Sequence, residues 1–169
     1  MLFRSIQQIN YGDVLLYLDS GISVINDLRL LPLNKDVISF EMFDKQQKDW
    51  TKYDTFYIMD CLEDKYINCK QKQAGMQIYT KTDKSLSFIK EYLSYCLIER
   101  CIDDSKSIYG KDFDSFVENR HDQSIFTNLC IKYNISTHRD PTQWGNQFVE
   151  KYNDSYPQIL NHHRGLISV

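Results

Sequence analysis

An α/β fold, a mixed sheet flanked by helices, is what this 169-residue sequence predicts. The first observation is the unbroken apolar run Val14-Leu15-Leu16-Tyr17-Leu18, bounded by Gly12 and by Asp19-Ser20-Gly21. A short run of this kind between turn signals reads as a strand buried on both faces. The second is Gln73 to Tyr79, a further strand with small residues at its start. The third is a pair of long segments whose apolar residues fall at steps of three and four. Strands alternating with long helices are the pattern of an α/β domain.

In chain order, Met1 to Asn10 reads as a short helix ending before Gly12, with Leu2, Phe3, Ile6 and Ile9 on one face. Ile22 to Leu33 has apolar residues at mixed spacing and is interrupted by Pro32. Val37 to Phe43 alternates like a half-buried strand. Thr51 opens a helix as a cap, with Asp54 three positions on and Phe56, Ile58 and Met59 on its apolar face. Ser85 to Cys101 is the clearest helix, through Leu86, Ile89, Leu93, Cys96 and Leu97. Asp103 to Asp114 is an acidic, Gly-containing loop and a candidate for mobility. A second helix runs from about Asp122 to Tyr133 through Ile125, Leu129 and Ile131. A short strand near Ile135, a turn at Asp140-Pro141-Thr142 and a polar tail complete the chain.

One domain fits this length, with enough residues for a sizeable core. The net charge of −3 gives no reason to expect a nucleic-acid surface. Aromatic residues make up 14% of the chain, twelve of them Tyr, and a Tyr ring offers a sugar both a flat face and a hydroxyl. Neither a secretory leader nor a transmembrane stretch is expected. Five unevenly spaced cysteines without a C-x-x-C pair argue against a zinc knuckle and for a reducing compartment. The cytoplasm, with peripheral association at the inner membrane left open, is the expected location. An uncovered strand edge would allow self-association as a homo-oligomer.

Four clusters carry chemistry beyond packing. Asp19 stands at the carboxyl end of the first strand, where α/β sheets bind ligands, and a carboxylate there suits a divalent cation. In Gln73-Ala74-Gly75 the small residues let a ligand approach the backbone. Arg120-His121-Asp122-Gln123 enters a helix, whose N-terminus favours anions. The tail carries Asn161-His162-His163-Arg164, in which His can ligate a metal and Arg can hold phosphate. Each has a structural alternative: a turn at Asp19, a bulge at Gly75, a helix cap at Asp122 and a solvated chain end. His138 is a weaker candidate, without a pattern of its own.

Taken in order, these clusters resemble a GT-A type nucleotide-sugar glycosyltransferase. Tyr11 to Gly21, His121-Asp122-Gln123-Ser124 and Asp140-Pro141-Thr142-Gln143-Trp144-Gly145 are similar to the bacterial, surface-polysaccharide members of that group. The resemblance covers about Ile9 to Gly165 and implies a Rossmann-like sheet, a nucleotide-sugar donor and a saccharide acceptor. It implies Mn²⁺ or Mg²⁺ held by Asp19 with His162 or His163, and Arg164 on the phosphates. Asp122 and Gln123 would hold sugar hydroxyls, with Asp122 as a possible base on the acceptor. His121 would also bind substrate. Gln73, Ala74 and Gly75 would wall the donor sugar, and Trp144 would stack on a sugar or simply pack in a turn. The usual Asp-x-Asp is here Asp19-Ser20-Gly21, without the second carboxylate. The nucleotide-binding strands that precede the acidic motif in that fold are also lacking, so an incomplete GT-A-like domain, the acceptor-side, C-terminal portion, is expected. The competing expectation is a non-catalytic remnant that binds a saccharide or a partner protein.

Overall fold

In the computed structural model, residues 2–152 and 156–163 are described. The chain opens with helix α1 (Leu2–Gln8), strand β1 (Val14–Leu18) and the short strand β2 (Ile22–Val24). A 3-10 turn at Leu28–Leu30 leads to the long strand β3 (Val37–Gln46). Helices α2 (Tyr53–Ile58) and α3 (Asp64–Ile67) precede β4 (Lys70–Lys72) and β5 (Met76–Thr80), which run in the same direction, each antiparallel to a different stretch of β3. Then come α4 (Asp83–Cys96), α5 (Glu99–Ile102), α6 (Asp122–Lys132) and β6 (Thr137–Arg139). A 3-10 segment at Gln143–Phe148, the short α7 (Val149–Tyr152) and β7 (Leu160–His162) follow.

The architecture is mixed α/β. Five strands form the main sheet: β1 pairs with β5, the start of β3 with β5 and its far end with β4, all antiparallel. Among the described strands only β6 runs parallel to its neighbour, along Ser39–Glu41 of β3. The described strands therefore form a mixed, largely antiparallel sheet.

Period-2 alternation divides the sheet into two faces. Leu15, Val37 and Tyr79 turn toward the helices, where they join Ile6, Phe56, Phe88, Ile89, Phe126 and Leu129. Phe88 and Phe126 meet edge to face at 5.8 Å, a geometry worth about 0.5–1.5 kcal/mol beyond the area it buries. On the opposite face Leu16, Ile38, Phe40, Met76 and Ile78 pack against Leu31, Tyr156, Ile159 and Leu160. That face is covered by the antiparallel β2–β7 ribbon and its flanking coil, so helices cover one side of the sheet and not both.

Several sequence expectations are corrected. β1 is an edge strand, hydrogen-bonded to β5 alone, and none of its residues is fully buried although both faces touch a core. The first half of β3 is buried on both faces instead of alternating. Thr51 does not cap α2: Lys52 holds that place, and Thr51 is buried with no partner for its hydroxyl among the described residues. The helix expected over Ser85–Cys101 begins two residues earlier, capped by Thr82, and breaks at Leu97-Ile98 into α4 and α5. The tail is not a frayed end as far as His163, since β7 pairs Leu160–His162 with Ile22–Val24. No helix among the described residues is long and apolar enough to cross a membrane.

Candidate functional site

Asp19 follows the last residue of β1, and its amide donates to the Gly75 carbonyl at 2.8 Å. This bond fixes the end of β1 against the connection between β4 and β5. The Tyr17 hydroxyl donates to Asp19 Oδ1 at 2.9 Å. Partial burial, then this bond to a carboxylate, pushes the Tyr17 phenol up to about 12. The connection is tied to β5 as well, because Gln77 Nε2 donates to the Ala74 carbonyl at 2.7 Å.

The third wall comes from α6. Gln123 accepts from the Ala74 amide at 3.5 Å and donates to Gln71 Oε1 at 2.7 Å, so both ends of its amide hold β4 and its connection to β5. Asp122, the first residue of α6, accepts from the Tyr92 hydroxyl at 3.2 Å. It opens to the cleft, yet the walls strip water from its carboxylate and raise its carboxyl above the ordinary 3.8, with the Asp19 charge adding to the shift. His121 holds the capping position of α6 with φ +47° and ψ −117°, a backbone shape normal for glycine, and its Nε2 meets Asp104 Oδ1 at 2.9 Å.

Asp19, Ala74, Gly75, His121, Asp122 and Gln123 thus line one cleft of about 620 Å³. That size is usual for small-molecule sites. Its remaining wall is the segment from Asp104 to Arg120, which takes in most of the expected loop Asp103–Asp114 and the stretch after it. The loop is held from beneath by α2. Asp54, fully buried, accepts from the amides of Ile108 and Tyr109 at 2.9 and 3.0 Å and pairs with Arg100 at 3.0 Å. Lys52, also buried, pairs with Asp103 at 2.5 Å and donates to the Ser105 carbonyl at 2.8 Å. The Lys52 ammonium holds the Asp103 carboxyl below its usual range. Asn119 completes the anchorage, donating to the carbonyls of Cys101 and Asp103 at 3.2 Å each.

No family model, curated protein or solved structure matches this chain.

The remaining candidates lie elsewhere. Gln73 turns away from the cleft, donating to Asp140 Oδ2 at 3.1 Å. With Trp144 and His162 it lines a second cavity of about 470 Å³. Arg120 borders both cavities. His163 is joined to β2, its Nε2 2.9 Å from Ser23 Oγ and its amide donating to the Gly21 carbonyl. Arg164 lies outside the described residues.

The residues present do not fit the expected Mn²⁺ or Mg²⁺ shell. Asp19 brings one carboxylate, His162 lines the other cavity, and His163 is engaged with Ser23. Among the described residues no three His, Cys, Asp or Glu side chains group so as to hold a metal ion. Hard cations of this kind need six or more oxygen ligands, several usually from the protein when no phosphate is bound.

Proposed function

We propose that this chain acts as a GT-A-type glycosyltransferase, moving a sugar from a nucleotide-diphosphate donor to a saccharide acceptor. The observation that carries this reading is the meeting of Asp19, Gly75 and Asp122 in one cleft from three distant stretches of chain. The wall is rich in carboxylates and amides, groups that accept and donate hydrogen bonds to sugar hydroxyls.

In this reading Asp122 is the base. Its raised carboxyl makes it a better proton acceptor than an ordinary surface Asp, and it takes the proton of the attacking hydroxyl. As the acceptor oxygen bonds to the anomeric carbon, the bond to the diphosphate breaks and the diphosphate leaves with the electron pair. Lys106, exposed on the wall of the cleft, supplies positive charge toward that group. Gln123 positions the connection between β4 and β5 rather than touching sugar, and Gly75 keeps the floor open beside Asp19. The five thiols, none in a disulfide, accord with a reducing compartment such as the cytoplasm.

The test is transfer from a set of nucleotide sugars to saccharide acceptors by the wild-type chain and by Asp122→Asn. Loss of a positioned base should lower the rate by about 10²–10⁴-fold with the circular dichroism unchanged. Transfer that ignores Asp122 would remove the assignment.

A second reading, a saccharide-binding module without turnover, draws on the single carboxylate at Asp19 and the lack of a metal-holding group among the described residues. Saturable saccharide binding by wild type, with no transfer under any donor, would establish it.

A further inference from the structure

The second cavity has a composition of its own. Phe43 and Phe148 meet at a tilt of 34° with ring centres 4.1 Å apart on one wall, and the Lys151 ammonium lies 3.6 Å from the centre of the Phe43 ring. Trp144 stands on the rim, 55% exposed, and Gln73 and Asp140 meet on the floor. An exposed indole over a cavity bordered by planar hydrogen-bonding groups suits a sugar ring, which presents apolar C–H faces and hydroxyl edges.

The formal charges lining this cavity balance, Glu41, Asp44 and Asp140 against Lys45, Arg120 and Arg139. Lys45 pairs with Asp44 at 3.3 Å, Arg120 with Glu118 at 2.9 Å, and Glu41 with Lys72 at 2.6 Å. Compensated cations give little attraction to a phosphate, so the chemistry favours a neutral polyhydroxyl ligand over a nucleotide.

The two cavities are also neighbours. Gln73 borders the second, while Ala74 and Gly75 border the first, and Arg120 touches both. From residue 73 to residue 75 the chain advances about 7 Å at most, a step that a few linked sugar units can span. We propose that the acceptor is a neutral oligosaccharide whose reacting end lies at Asp122 and whose next units cross residues 73–75 to rest on Trp144. This inference rests on the glycosyltransferase reading of the first cleft.

The experiment is calorimetric titration of the intact chain, and of Trp144→Ala and Asp122→Asn, with gluco-, galacto- and manno-oligosaccharides of one to five units. For wild type the affinity should rise about tenfold between one and three units, the equivalent of a good aromatic stacking contact. Trp144→Ala should lose that rise, and because the indole is already half in solvent its truncation should leave the fold intact by circular dichroism. Affinity independent of length, or an equal rise in wild type and Trp144→Ala, overturns the second subsite. If Asp122→Asn still abolishes binding in that case, the reading of the first cleft survives. Length-dependent binding that needs Trp144 but ignores Asp122, with no transfer, keeps the second cavity as a saccharide site but overturns its place in an acceptor for transfer. No binding at any length overturns both.

Discussion

The Asp19 carboxylate fills the space that a side chain at position 75 would need: its Oδ2 lies 2.8 Å from where a Cβ on Gly75 would stand. The backbone of residue 75 does not require glycine, since its φ is not positive. What requires glycine is the neighbour.

Gly75→Ala should therefore act through Asp19. The carboxylate is the end of a movable side chain, so it can swing aside, and the expected stability loss in urea titration is about 1 kcal/mol or less. Saccharide binding should fall as far as it does in Asp19→Ala. In a double-mutant cycle the two effects should be strongly non-additive, because both remove the same group from the same place.

Asp122 gives a pH prediction. Its folded-state carboxyl is raised above 3.8, first by the walls that desolvate it and also by Asp19. The stability this group contributes is full below its unfolded value and is lost as pH rises through the raised one. Asp122→Asn should thus be more stable than wild type at pH 7, with the gap closing below about pH 4. Denaturant titrations at the two pH values measure it.

Asp54 has no contact with the cleft, yet it should control the cleft wall. Asp54→Ala leaves the amides of Ile108 and Tyr109 without their buried acceptor and Arg100 without its partner. The expected cost is roughly 2–4 kcal/mol. Amide exchange over residues 104–112 should speed up before that of α6, which rests on the core.

The thiols should be inert in the native protein. Burial pushes Cys61, Cys96 and Cys130 up to about 12 and Cys69 and Cys101 up to about 11. A thiol reagent at pH 8 should react slowly with native protein and rapidly with all five thiols in denaturant.

Much of the cleft was legible in the sequence because its parts sit at ends of regular elements. Asp19 closes an apolar run, and Asp122 opens a periodic helix, so both announce their positions. The segment Asp104–Arg120 gave no such sign. Its order comes from Asp54 and Lys52, fifty residues earlier, and buried polar contacts at that separation leave no periodic mark. β4 was missed for a related reason: Lys70-Gln71-Lys72 has no apolar alternation, and Lys72 is buried only because Glu41 meets it. The break between α4 and α5 falls in an apolar stretch with no Gly or Pro to mark it. β7 went unseen because three residues pairing with Ile22–Val24 carry too little pattern to read.

The corner at His121 has a consequence for how this molecule could change. An L-residue held at φ +47° with ψ −117° costs about 1–3 kcal/mol, which glycine would recover. Yet glycine would surrender the imidazole that meets Asp104 and loosen the entry to α6. Thermal robustness and ligand capture therefore pull in opposite directions at this one position, and a variant selected only for surviving heat would be expected to mutate there first.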